Sequence, residues 1–283
     1  MKDNDVRLKD AYRRDEGLLT SSEICGIRAK YSISQSDLCI LLGWGGKTVT
    51  RYESHQIQDR AHDTILKKID RDPEWFLSLL RDARNNLSKE AYEKYLAAAT
   101  SLYEKDQDEY LRKAIEANYA KFQGNQMYHG NTELSLDKAV DVIRYFAASS
   151  QVTNLYKVKL MKLMWYADAL AYKRRGTAIT GLVYQALPMG AVPIGHNSII
   201  DLKNVPCEEV DMGETNAYHF SLNGEQSFPA LSDEEKSILD SVIEKLGRMS
   251  KTEIINFMHK EKAYISTAPR DVIQFQYAES LQI

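Results

Sequence analysis

The sequence predicts a mainly α protein with two domains: an N-terminal helix-turn-helix bundle and a C-terminal α+β domain that is mostly helical. A chain of 283 residues exceeds one typical domain. Capping-box spacing at Thr20, Ser232 and Ser250 precedes apolar stretches, and the extended stretches are confined to residues 179–222. We therefore place a first domain at 1–80, a helical connector at 81–130 and a second domain at 131–283.

Residues 33–53 are predicted to form two short helices joined by a glycine-rich turn. Ser34 stands at an N-cap position, Leu38 belongs to the apolar stripe of the first helix, and Gly43 suits a tight corner. The second helix should point small, hydroxyl-bearing and basic side chains outward while Val49 packs inward. Such a helix suits the DNA major groove; an ordinary helical hairpin with a charged face is the alternative.

This segment resembles the helix-turn-helix of phage-repressor (Xre/Cro-type) proteins. The resemblance and the expected outward face give a set of candidate DNA-contacting residues: Gln35, Lys47, Thr48, Thr50, Arg51 and Tyr52. The flanks support a complete bundle, because Thr20 and Glu23 have capping-box spacing and Asp72-Pro73 is typical of a helix start.

The connector should be helical from 87 to 122, as two helices with a polar break at 105–108. Gly124-Asn125 and Gly130-Asn131 predict a flexible boundary after it. In the second domain we expect strands at 182–186, 209–212 and 217–222.

The formal net charge of −3 argues against general coating of nucleic acid. DNA binding must then be local, and one recognition helix offers few contacts. We therefore expect a homodimer, built mostly on residues 1–122, that binds operator DNA.

The three cysteines are far apart in sequence and odd in number, which fits a reducing cytoplasm and predicts no zinc site and no cofactor. No apolar run approaches the roughly 20 residues that cross a bilayer. Residues 1–5 are polar and lack the apolar core of a signal peptide. We expect a cytoplasmic protein with no membrane partner.

Residues 155–172 predict a long helix that is apolar around most of its circumference and therefore central to its domain. Asp168 within this helix needs a partner, because a buried carboxylate would otherwise be stranded. Pairing with an arginine or a backbone amide is the structural interpretation, and it is preferred to a catalytic role.

Three stretches in the second half carry a further resemblance: 159–169, 172–181 and 184–193. Together with the closing pattern at 259–264, they resemble the SocA-like, or Panacea, antitoxin domain over roughly residues 133–283. One departure is Ala191, which follows Gly190 where the family more usually has proline. The N-terminal half is similar to the helix-turn-helix of MqsA-type antitoxins, without their zinc finger, since no cysteine precedes Cys25.

The resemblance implies an antitoxin of a type II toxin–antitoxin system, which neutralises a toxin protein through its C-terminal domain and represses its own operon through its N-terminal domain. Aromatic and methionine side chains in the 184–193 loop are typical of interface cores, although they equally suit a domain core. The candidate toxin-binding residues are Tyr166, Arg174, Tyr184, Leu187, Met189 and Val192.

No arrangement of residues indicates catalysis, so we expect a protein that is not an enzyme. Cys207 with His219 is the pair that a nucleophilic site would need, and His196 stands in a polar loop. Two other functions remain open beside direct neutralisation. One is a transcription regulator whose C-terminal domain senses a protein, and the other is an adaptor that delivers a toxin to a protease.

Overall fold

The computed structural model describes residues 2–54, 56–211, 213, 216–224 and 226–283, with side chains from Leu8 onward. This part of the chain is mainly α-helical, with two small antiparallel sheets in its C-terminal half. The predicted fold class is therefore confirmed. The chain divides into two compact units, residues 1–107 and 108–283, which we call the N-terminal and C-terminal units.

The helices of the N-terminal unit begin at the caps that the sequence predicts. Thr20 and Glu23 form a reciprocal capping box, the Ser34 hydroxyl accepts the Asp37 amide, and Asp72 caps a helix with Pro73 at its first position. The helices are α1 Lys2–Asp15, α2 Ser21–Lys30, α3 Gln35–Leu42, α4 Thr48–Ser54, α5 Arg60–Arg71 and α6 Pro73–Asp82.

A single helix, α7 (Lys89–Tyr119), follows a short 3-10 turn and contains the division between the units. The predicted break at 105–108 is wrong. These residues are polar because that turn of the helix faces mostly solvent, and none of them is glycine or proline. The last turns of α7 belong to the C-terminal core, where Ile115 and Tyr119 are buried. That core therefore begins upstream of Gly124.

The C-terminal unit is organised around one central helix, α10, in which every residue from Lys159 to Ala171 is buried. A helix that is buried on all sides must be surrounded by other elements, as the sequence predicts. The helices of this unit after α7 are α8 Gln126–His129, α9 Leu136–Ala148, α10 Lys157–Arg175, α11 His196–Ile200, α12 Asp233–Leu246, α13 Lys251–Met258 and α14 Lys262–Ile265, followed by a 3-10 helix at Phe275–Ser280.

Each of the two sheets is an antiparallel hairpin. In the first, β1 (Tyr184–Leu187) pairs with β2 (Gly190–Pro193), and in the second, β3 (Cys207–Asp211) pairs with β4 (Asn216–Phe220). The predicted strands correspond to β1, β3 and β4 within about two residues; Met212, the end of one prediction, lies outside the described residues. β2 was not predicted, because its terminal glycine and proline are more typical of turns.

Candidate functional site

The exposed surface around the turn between α3 and α4 is the first candidate site. Gly43 ends α3 in the left-handed conformation, at φ 65°, which is the corner that the sequence predicts. Among the predicted DNA-contacting side chains, Lys47, Thr50 and Arg51 are exposed. We call these three residues the turn–helix surface.

Two predicted contacts are wrong, because Thr48 and Tyr52 are buried. Positions 48 and 52 lie one turn apart on the same side of α4 as Val49, so they share its inward face. The Tyr52 hydroxyl lies 2.5 Å from Nδ1 of His62, whose ring packs against Trp44 at 4.1 Å between centroids. Tyr52 and Trp44 therefore connect α4 and its turn to α5.

Gln35 is half-buried, and its side-chain amide is bonded within the protein. Its nitrogen donates to the Glu53 carboxylate, and its oxygen accepts the Thr50 hydroxyl at 2.8 Å. Arg28 donates to both oxygens of Glu53, at 2.5 and 3.0 Å, and this pairing lowers the pKa of Glu53 despite its burial. Helices α2, α3 and α4 thus meet at one carboxylate, which holds α4 in place.

A second buried group reaches the C-terminal end of α4 from α1. Arg13 is 2% exposed and donates to the backbone carbonyls of Tyr52 and Gln56 at 2.7 and 2.8 Å. It also pairs with Asp10 at 2.6 Å and with the Gln58 side chain at 3.0 Å. Bonds to a charged donor are among the stronger hydrogen bonds in proteins, so α1 fixes the end of the candidate recognition helix.

In the C-terminal unit, Asp168 fixes the segment that leads into the first hairpin. Its carboxylate is fully buried and accepts four hydrogen bonds: from the amides of Ile179 and Thr180 at 2.8 Å each, from the Thr180 hydroxyl at 2.5 Å and from the Tyr184 hydroxyl at 2.7 Å. Burial nevertheless raises the pKa of Asp168. The predicted structural role with backbone amide partners is confirmed.

Both edges of this hairpin are covered. On the β1 side, Ala186 accepts from the Arg270 amide at 2.7 Å and donates to the Asp271 carbonyl at 3.0 Å, so residues 270–273 run along it as a strap. On the β2 side, the buried Lys162 donates to the Ala191 carbonyl at 3.1 Å, and burial lowers the pKa of this lysine to about 8. An unpaired strand edge invites unwanted pairing; here a lysine closes one of them.

The backbone groups of Ala186 are used on the strap, so those of its partner Ala191 face away from β1. A proline at position 191 would leave the pairing of the two strands unchanged. The two strands can therefore pair in the same way with alanine at position 191 as with the proline that the family more usually has there.

The tip of the hairpin is the two-residue loop Pro188-Met189. Proline favours the second position of a type I turn and glycine the fourth, and Gly190 has φ 106°. A Cβ on Gly190 would also lie 2.8 Å from Met258 Cγ and 2.9 Å from Lys162 Cε. The hairpin can therefore sit this close to α10 and α13 only with glycine at that position.

The structure separates the predicted toxin-binding residues. Tyr166, Tyr184 and Val192 are buried core residues, so their assignment to a surface is wrong. They line inner faces because β1 and β2 pack on α10. Arg174 is exposed and bonds to Ser241. It lies about 18 Å along α10 from Lys162, the residue that bonds to the hairpin. Met189 is 46% exposed and Leu187 is half-buried.

One further residue contacts the hairpin tip, and no sequence pattern indicated it. The Tyr264 hydroxyl donates to the Leu187 carbonyl at 3.0 Å, and Ile265, which follows Tyr264 in the chain, is 68% exposed. We call Leu187, Met189, Tyr264 and Ile265 the tip surface. The helix α14 has four residues, which is too short for a periodic apolar pattern. The sequence therefore could not predict which way the Ile265 side chain points, and its exposure is known from the fold.

The candidate nucleophile pair is not assembled. Cys207 pairs with Phe220 across the β3–β4 hairpin, whereas His219 pairs with Glu208. Neighbouring positions in a strand face opposite sides of a sheet, so the thiol and the imidazole point apart. Burial raises the pKa of the Cys207 thiol and lowers the pKa of His196.

Within the described residues, no cluster of histidine, cysteine and carboxylate side chains has the arrangement of a metal site. Among the same residues, no helix combines the length and the apolar character that spanning a membrane requires.

The family model for the antitoxin SocA-like, Panacea domain matches residues 160–264 of this chain, from the first turn of α10 to Tyr264. This match supports an antitoxin function for the C-terminal unit, without identifying a toxin. Comparison with curated proteins and with solved structures gives no match.

Proposed function

We propose that this chain is the antitoxin of a two-gene system and that it neutralises a toxin protein by direct binding through the tip surface. The observation that carries the proposal is the exposed apolar Met189 on a hairpin inside the stretch that matches the antitoxin domain. Methionine and aromatic side chains are enriched at the cores of protein interfaces. Asp168, the strap and Lys162 support the hairpin, so little ordering cost would accompany binding.

The second part of the proposal is that the turn–helix surface binds the operator of the same operon. Lys47, Thr50 and Arg51 share the outer face at the start of α4 and are accessible together. Three side chains make too few contacts for tight binding, so a homodimer would present two such surfaces to half-sites one helical turn apart. Both partners, toxin and operator, would be met in the cytoplasm.

We further propose that the chain is not an enzyme. The divergence of Cys207 and His219 and the raised pKa of the thiol support this, because a nucleophilic cysteine needs a nearby base or a lowered pKa.

The two activities can be separated with single substitutions in the full chain. Met189→Asp should abolish protection of cells that express the neighbouring toxin and prevent co-purification with it, while promoter binding in a gel shift is unchanged. Arg51→Ala should weaken promoter binding about tenfold, because a good base contact contributes about 1–3 kcal/mol, while protection persists.

Tyr110→Asp is the matched control, since Tyr110 is 71% exposed in the same unit as Met189 but lies on α7. It should leave both activities intact. Full protection by Met189→Asp would contradict the tip surface. Loss of protection only in hosts that lack ATP-dependent proteases would favour the adaptor, and a neighbouring gene that is harmless alone would favour the regulator.

A further inference from the structure

A cleft of 730 Å³ lies in the C-terminal unit, between the last turns of α7 and the segments around residues 122–134 and 181–183. Ligand sites in proteins usually have volumes of about 300–1,000 Å³. None of its lining residues belongs to the turn–helix surface or to the tip surface, so it is a separate feature of the molecule.

Two of the lining segments are fixed to each other by close backbone packing. Gly181 has φ 71°, and a Cβ there would lie 2.4 Å from the Glu133 carbonyl oxygen, so these segments meet without a side chain between them. The Tyr119 hydroxyl donates to the Ile194 carbonyl at 2.8 Å, which fixes the orientation of that ring. These lining residues are therefore held in place by the fold of the unit.

The charged residues among those that line the cleft are carboxylates. Glu116 and Glu133 are exposed, and no lysine or arginine lines the space. Within the described part of the chain, neither carboxylate is within ion-pair distance of a cation. Lys113, one turn before Glu116, is paired with Glu109 at 2.6 Å and adds a longer-range attraction to Glu116. The Lys121 ammonium lies 5.0 Å from the centroid of the Phe122 ring, which also lines the cleft. A cation is the complementary charge for the two carboxylates.

The remaining rim and floor favour a peptide as the carrier of that cation. Tyr119 and Val183 provide a buried apolar floor. The exposed Gln123 and Gln126 side chains each offer both hydrogen-bond donors and an acceptor. A peptide backbone has matching donors and acceptors, whereas a simple organic amine has only donors.

We infer that this cleft binds a short extended segment of a partner protein that carries lysine or arginine between apolar residues. The inference does not depend on the proposed antitoxin function or on the tip surface. The apolar side chains of the segment would cover the floor, and its cation would lie between Glu116 and Glu133.

The probe is a fluorescein-labelled Gly-Leu-Lys-Leu-Arg-Leu-Gly peptide, titrated with the full-length protein and followed by fluorescence anisotropy. We expect saturable binding that is at least fivefold weaker for the double variant Glu116→Gln/Glu133→Gln and weaker in higher salt. The matched control, Glu244→Gln/Glu279→Gln, removes two exposed carboxylates outside the cleft and should bind like the wild type.

Thermal unfolding of both double variants checks that they fold, as exposed substitutions should permit. Absence of saturable binding would overturn the inference. So would equal binding of the peptide with glutamate in place of lysine and arginine, or equal affinity of the Glu116→Gln/Glu133→Gln variant. Displacement by hexylamine at the concentration at which unlabelled peptide displaces would overturn the choice of a protein segment.

Discussion

Arg13 in the N-terminal unit and Asp168 in the C-terminal unit are both buried, and each is bonded to backbone close to one candidate surface. Arg13 donates to carbonyls at the end of α4 but has Asp10 beside it, so its charge is paired. Among the described residues, the donors to Asp168 are uncharged amides and hydroxyls. The support of α4 therefore depends on a charge pair, and the support of the first hairpin on the presence and direction of individual donors.

Asp168→Leu tests this difference where it should be largest. The substitution leaves the buried amides of Ile179 and Thr180 without their acceptor. Since an unsatisfied buried donor costs about 1–3 kcal/mol, we expect the free energy of unfolding of the C-terminal unit to fall by about 2–6 kcal/mol. Urea unfolding monitored by circular dichroism measures the loss.

Asp233→Leu is the matched control, because Asp233 has a fully exposed side chain and should change the unfolding free energy by less than about 0.5 kcal/mol. A change in unfolding free energy for Asp168→Leu within that range would show that the four bonds do not hold the hairpin segment.

Arg13→Met tests the N-terminal half of the comparison. It leaves Asp10 without its cation and the α4 carbonyls without a donor, and breaking a buried pair costs about 3–5 kcal/mol. Thermal unfolding should show a destabilised N-terminal unit, and promoter binding should be lost while protection against the toxin persists.

Arg14→Met is the neighbouring control, since Arg14 is exposed, and it should behave like the wild type in both assays. If Arg13→Met bound the promoter with wild-type affinity, the network would not position α4.

Lys162 gives a smaller and pH-dependent effect. Its pKa of about 8 in the folded chain lies below the ordinary value of 10.5, so between these pH values the unfolded chain binds more protons. The free energy of unfolding should therefore rise with pH from about 8 to 10.5, by up to about 3 kcal/mol.

The Lys162→Met variant should lack this rise, so its unfolding curves measured across that pH window should diverge from those of the wild type. Lys251→Met, at an exposed position, should follow the wild type throughout. Parallel pH profiles for the wild type and Lys162→Met would refute the burial cost of this ammonium.

Local chemistry made much of the fold predictable. The capping boxes at Thr20, Ser232 and Ser250 are all present, because a cap is decided by residues three positions apart. Asp168 was predictable as a satisfied core carboxylate for a similar reason, since a helix that is apolar on most sides leaves no route to water. Its partners at 179, 180 and 184 could not be predicted, because they depend on how the segment after α10 folds back against that helix.

Which of the candidate residues are exposed and which are buried was less predictable. With Val49 placed inward, helical spacing already puts Tyr52 on the same face, and the expectation of a base contact wrongly overrode it. Tyr184 and Val192 are apolar residues in a short hairpin, where interface and core have the same composition. Only the packing of that hairpin on α10 distinguishes them from Met189 at its tip.

The continuity of α7 decides where this protein can be cut and joined. Residues 108–119 supply Ile115 and Tyr119 to the C-terminal core, so a fusion made at the glycines near 124–130 would delete two buried side chains. A transferable C-terminal module must instead start within a helix, at or before Asp108. Recombination that gave it a new N-terminal domain would therefore have to join two helices into one. The junction would have to keep the buried face of α7 in register, in addition to the reading frame.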